Sequence, residues 1–169
     1  INDVVKPSSA YLSQCFSAVV FSPEHLSLVK NGPSLRRKFI DGAICQQDVK
    51  FAVLLSKYNR TVFQRNALLK EIYKHPELEE TICIWDDSLI MLGAKIISKR
   101  LCYLRKLQES AQEFHKGISN GKEELLIEYV SSAGIEISDN EAEIAEKLRV
   151  GFEKCKREDI KLSCTNCGA

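Results

Sequence analysis

Apolar residues through the middle of this chain recur at helical rather than strand spacing. From residue 48 to 73, Leu55, Tyr58, Val62, Leu69 and Ile72 lie alternately three and four positions apart, a heptad-like stripe that predicts a long helix. Arg65 falls on that stripe where an apolar residue is due. His75-Pro76-Glu77 then breaks the pattern, because Pro removes a helical hydrogen bond and biases the residue before it away from αR. A longer stripe follows: Leu78, Ile82, Trp85, Leu89, Leu92 and Ile96, continued by Tyr103, Leu107, Ala111, Phe114 and Ile118 until Asn120-Gly121 ends it. About forty residues at the helical rise make a rod on the order of 60 Å. The short Pro turn predicts that the first half of this rod folds back antiparallel, with Leu55-Val62-Leu69 facing Ile82-Trp85-Leu89-Leu92 and Trp85 in the core.

The flanks are less regular. Residues 1–15 read as a lead-in punctuated by Pro7-Ser8-Ser9, and residues 16–21 form an apolar, β-branched run that suits a buried strand. Ser22-Pro23-Glu24 is a helix start, closed by Asn31-Gly32-Pro33. A second helix opens at Ser34, with Leu35, Phe39 and Ala43 on one face. Arg36, Arg37 and Lys38 crowd its first turns, where each cation opposes the macrodipole by about a few tenths of a kcal/mol. Beyond Gly121, Leu125, Ile127 and Tyr129 alternate through residues 124–130 as in a strand that could pair with 16–21. Ser138-Asp139-Asn140 starts a last helix carrying Ile144, Leu148 and Phe152. The fold class expected is mainly α: a long antiparallel helical hairpin with additional helices and one or two short strands. A single domain is expected over 1–169, made of the lead-in, strand and short helices (16–47), hairpin (48–121), strand and final helix (122–160) and tail (161–169).

Composition allows a sizeable core, with 44% apolar and 28% charged residues in 169. Net charge is +1, from 24 basic and 23 acidic residues, so any nucleic-acid role must rest on local patches. One such patch is Lys95, Lys99, Arg100, Arg105 and Lys106, a run without an acid between Asp87 and Glu109. It reads either as a solvated face or as a stripe that tracks phosphates. Arg65 likewise has two readings: a packed stem whose head snorkels or meets a carboxylate, or a cation positioned for DNA or a partner. No apolar run approaches membrane-spanning length and no signal peptide is evident, so a cytoplasmic chain is expected. Seven cysteines, odd in number and scattered, fit a reducing compartment. Cys164-Thr165-Asn166-Cys167 offers two ligands where a structural zinc needs four, which favours free thiols over metal. No G-x-x-x-x-G-K-[ST] cradle is present, so no catalytic residue and no cofactor site are assigned to this stretch.

Residues 21–41, FSPEHLSLVKNGPSLRRKFID, resemble the RecF family of bacterial recombination mediators. Ser22-Pro23-Glu24, Leu28-Val29-Lys30, Gly32-Pro33, Arg36-Arg37, Phe39 and Asp41 carry the likeness; His25 stands in place of an acid and Ile40 in place of a Leu. Gln64-Arg65-Asn66, Leu68-Leu69-Lys70, Trp85-Asp86 and Leu92-Gly93-Ala94 are similar to later blocks, extending the resemblance over 16–165. Arg157-Glu158-Asp159 leads toward a Gly-x-x-x-x-Gly-Pro-His-Arg-Asp stretch in which Ser163 replaces the first Gly, and the sequence stops at Gly168-Ala169. The resemblance implies the helical lobe of an ABC/SMC-like ATPase head, with the parts that hold ATP and Mg before Ile1 and after Ala169. It also implies an ATP-dependent dimer that binds DNA at gaps and acts with RecR and RecO in recombinase loading. Arg36, Arg37, Arg65, Lys99, Arg100, Arg105 and Lys106 are the candidate DNA or partner contacts. The alternative is a helical-hairpin protein-interaction module without DNA binding.

Overall fold

The computed structural model describes residues 20, 22, 27–131, 133–136 and 140–169. These fold as α1 (Ser27–Lys30), α2 (Pro33–Gln47), α3 (Val49–Ile72), a 3-10 helix (Pro76–Thr81), α4 (Ile82–Ser119) and α5 (Glu141–Leu162), and no strand occurs among the described residues. The strand expected at 16–21 lies outside them except for Val20. The chain divides into two compact units, Ile1–Leu54 and Leu55–Ala169.

In the first unit the helix boundaries follow local chemistry. Pro33 opens α2 at a position where its missing N–H costs nothing. The N–H of Asp48 donates to the carbonyl of Ile44, ending α2, while its Oδ1 accepts from the N–H groups of Lys50 (2.9 Å) and Phe51 (3.3 Å), starting α3. One residue therefore closes one helix and caps the next. The crowded arginines also acquire a local explanation. Arg36 Nη1 donates to the carbonyls of Leu28 (3.1 Å) and Asn31 (2.8 Å), closing the end of α1.

The second unit is built around α4. Its buried residues include Leu89, Ile90, Ala94, Ile96, Ile97, Leu101 and Leu104, a band wider than one heptad seam. Its principal partner is α5, which buries Ile144, Leu148 and Phe152. Leu69, Ile72 and Ile82 form a buried cluster with Leu68, Leu78 and Ile160 packed on it, tying the end of α3 to the start of α4 and the end of α5. Of the expected seam, Leu69, Ile82 and Leu89 are buried, whereas Leu55, Val62, Trp85 and Leu92 are half-buried. Asn120 and Gly121 adopt left-handed conformations, and both donate to the carbonyl of Lys116 to terminate α4. Past Leu104 no residue of α4 is buried, and Phe114 and Ile118 are exposed. Asn140 caps α5 in a reciprocal box: its side chain accepts from Ala142 and Glu143 N–H, and Glu143 Oε2 accepts from the Asn140 N–H at 2.8 Å.

The expected strand at 124–130 is not formed. Residues 123–131 are neither helical nor in a ladder, although burial alternates as the sequence implied, with Leu125, Ile127 and Tyr129 half-buried and Leu126, Glu128 and Val130 exposed. The physical reason is the lack of a second strand among the described residues; a side chain of α4 takes one edge of the segment instead. Gln108 Nε2 donates to the Leu125 carbonyl at 2.6 Å, and Gln108 Oε1 accepts from the Ile127 N–H at 2.6 Å.

Candidate functional site

Arg65, in the second unit, has no exposed surface and is held by three side chains. α3 delivers it into the interior, where α4 brings Asp86, α5 brings Asp159, and the turn after α5 brings Thr165. Its Nε donates to Asp86 Oδ1 at 2.6 Å, and its Nη1 donates to Asp159 Oδ2 at 2.7 Å and to Thr165 Oγ1 at 2.9 Å. Its guanidinium carbon lies 5.2 Å from the centre of the Phe152 ring. Nη2 is buried with no partner among the described residues.

The ligands of the guanidinium are themselves held. Asp159 Oδ1 accepts from the N–H of Asn166 (3.0 Å) and from its side-chain amide (2.9 Å), and Asn66 Oδ1 accepts from the N–H (2.9 Å) and hydroxyl (2.7 Å) of Thr165. Burial pushes the Asp86 carboxyl above its usual range, outweighing the hydrogen bond and charge of Arg65 that act the other way. The segment 163–169 is thereby pinned to the helices. The Ala169 N–H donates to the Tyr58 hydroxyl at 2.8 Å, and the Tyr58 hydroxyl occupies the space that a Cβ on Gly168 would need. Cys167 is buried and its thiol is pushed up to about 11 by desolvation, while Cys164 is half-buried; both are free. No group of three or more metal-ligating side chains is assembled among the described residues. No described helix is long and apolar enough to cross a membrane.

The seven basic candidates differ in burial and in the unit that carries them. Arg65 and Arg100, both expected as DNA or partner contacts, are 0% and 3% exposed, so the described residues cover both side chains. The cause is the wide buried band of α4 and the carboxylate pair around Arg65. Lys99, Arg100 and Arg105 each hold interactions within the chain. Arg36 is spent on the end of α1. Arg37, Lys99, Arg105 and Lys106 are exposed, and Lys95, Lys99, Cys102 and Lys106 line one exposed face of α4.

Sequence reasoning singled out Arg65 but not its partners. Asn66, Asp86, Asp159 and Thr165 all lay within or beside the family-like blocks, so the signal was present as a set of motifs. Their convergence was not, because Arg65 and Asp159 are 94 positions apart.

No protein-family model matches the sequence. Curated proteins do. The chain is 37% identical over 168 residues to the DNA replication and repair protein RecF of Agathobacter rectalis, covering 99% of this chain and 44% of that protein. It is 39% identical over 160 residues to RecF of Lachnoclostridium phytofermentans, covering 95% and 42%. Among solved structures, the recombination mediator protein RecF-ATPrS in the RecFOR pathway superposes with a TM-score of 0.90 at 38% identity, over 96% of this chain and 43% of that one. A second, RecF-ATP, gives 0.80 at 40% identity, over 90% and 40%. The chain thus spans less than half the length of the relatives it matches. Within those bounds, and from nearly one end of its own sequence to the other, the chain is similar to a stretch of RecF proteins.

Proposed function

We propose that the chain is the non-catalytic helical lobe of a RecF-type DNA repair ATPase, acting in the cytoplasm. The carrying observation is the match of almost every residue, at a TM-score of 0.90, to a RecF solved as its ATPrS complex. In this reading ATP and Mg are held by the other parts of the parent protein, in an ATP-dependent dimer. The lobe contributes rigid helical surfaces, and the parent binds DNA and works with RecR and RecO to load recombinase. The Arg65 hub then serves as the lobe's internal fastening and carries no chemistry. Each unit offers a candidate for phosphate: Arg37 on α2 in the first, and in the second the Lys95, Lys99 and Lys106 face of α4, the latter supported by its 4-3-4 spacing around exposed Cys102. A second reading, a helical protein-interaction module, is favoured by exposed Phe114 and Ile118 at the unburied end of α4.

Calorimetric titration with ATP tests the ATPase assignment. The full-length parent should bind one nucleotide per chain and these 169 residues none. Binding by the 169 residues at that stoichiometry, or none by the parent, overturns the reading.

A further inference from the structure

The turn after α5 folds Cys167 back onto that helix. A Cβ on Gly151 would come within 2.7 Å of Cys167 Sγ, so the sulfur rests on α5 in the space this glycine leaves open. Cys155 stands one helical turn beyond Gly151 on the same face, and a helical side chain leans back toward the residue four places before it. The two thiols therefore share one short stretch of the α5 surface. Both are free, Cys167 buried and Cys155 half-buried. Desolvation is the main cause that pushes the Cys167 thiol up to about 11, and the charge of Cys155 adds to it. Cys167 is thus a shielded, protonated thiol, and Cys155 is the one of the pair that a small oxidant reaches first. Cys164, the other cysteine of the turn, directs its thiol to Asn166 Oδ1 at 3.8 Å.

We infer that Cys155 and Cys167 form a reversible disulfide when the protein meets a peroxide, and that this bridge locks residues 163–169 onto α5. In the first step the Cys155 sulfur attacks one peroxide oxygen. The S–O bond forms as the O–O bond breaks, the sulfur is oxidised to a sulfenic acid, and hydrogen peroxide is reduced to water. In the second step the Cys167 sulfur attacks the sulfenic sulfur. The S–S bond forms, the S–O bond breaks, and the hydroxyl leaves as water with the proton of the Cys167 thiol. A thiol reductant reverses the bridge by exchange and returns both side chains to the free state. The consequence falls on the Arg65 hub. Thr165 and Asn166, which hold Arg65 and Asp159, lie inside the loop that the bridge closes, so the bridge restricts their release from the helices. Every residue in this step belongs to the chain itself, so the inference stands apart from the RecF reading.

Peptide mapping by mass spectrometry tests the inference on the full-length parent, treated with hydrogen peroxide while folded and then alkylated under denaturing conditions. The expected result is a linked pair of peptides carrying Cys155 and Cys167, lighter by two hydrogens than the free pair and separated by dithiothreitol. Cys155→Ser should abolish the link, and Cys164→Ser should leave it in place. The melting midpoint of the oxidised protein should rise above that of the reduced protein and return with dithiothreitol. Full alkylation of Cys167 after peroxide overturns the proposal, as does a link from Cys167 to Cys164 in place of Cys155. A Cys155–Cys167 bridge that lowers the melting midpoint overturns the locking of the turn.

Discussion

A guanidinium with no exposed surface is stable only while its charge is matched, and Arg65 is matched twice, by Asp86 and by Asp159. Replacing such a pair by apolar groups of similar volume can be nearly neutral, whereas removing one partner strands the others. Arg65→Ala leaves two interior carboxylates facing each other across a cavity, so it is expected to cost about 3 to 5 kcal/mol, read from urea unfolding midpoints. Arg65→Lys should not restore stability, because an ammonium cannot span the two carboxylates and Thr165 as a planar fork does. Asp86 adds a pH signature. Its carboxyl is raised by burial, so the folded chain takes up a proton before the unfolded chain does. The resulting stabilisation is fully present below the ordinary value of 3.8 and is lost as pH rises through the folded value. Unfolding midpoints of wild type and Asp86→Asn across acid to neutral pH should therefore converge or diverge only in the window above 3.8, with wild type gaining relative to the variant as pH falls. Wild type losing stability relative to the variant as pH falls would mean that the hydrogen bond and charge of Arg65, not burial, govern Asp86.

At the level of elements, the clearest departure from the family-like motif turns out to have a backbone meaning. Ser163 stands where the motif has Gly, and it takes a left-handed φ of 53° as the residue that ends α5, donating its N–H to the carbonyls of Asp159 and Ile160. An L side chain in that conformation is disfavoured by roughly 1 to 2 kcal/mol, while Gly is free to adopt it. Ser163→Gly is expected to stabilise the chain by about 0.5 to 1 kcal/mol, the gain being reduced by the greater freedom of Gly in the unfolded state; a shift of the melting midpoint upward checks it. Helix ends of this kind were legible from sequence because caps are local. Asp48, Asn120-Gly121 and Asn140 each act within five residues, and the expected helix at 48–73 is observed as Val49–Ile72. What was not legible depends on distant partners. Nothing near Arg65 announces Asp159, nothing in α4 announces that α5 is its principal partner, and the alternation of residues 125–130 shows a strand's faces without showing whether a neighbour exists.

For these 169 residues as a whole, a net charge of +1 gives no general attraction to a polyanion, so any DNA contact proposed for this stretch must come from a few placed cations. Burial has narrowed them. Arg65 and Arg100 are interior, Arg36 closes α1, and the exposed remainder includes Arg37 in one unit and Lys95 and Lys106 in the other. Removing a cation that neutralises one phosphate should lower the slope of log affinity against log salt by about one unit. In the full-length parent, Lys106→Gln, Lys95→Gln and Arg37→Gln are therefore each expected to flatten that slope by about one, with melting temperatures unchanged because these side chains are solvent-exposed. Affinity for gapped duplex measured at several salt concentrations reads the slope. Arg65→Ala serves as the contrast, since it should lower the melting temperature and leave the slope of the remaining folded protein as it was. If none of the three exposed variants changes the slope, the basic face of α4 is solvated only, and the helical surfaces of this stretch are better assigned to protein partners at the exposed Phe114 and Ile118 end.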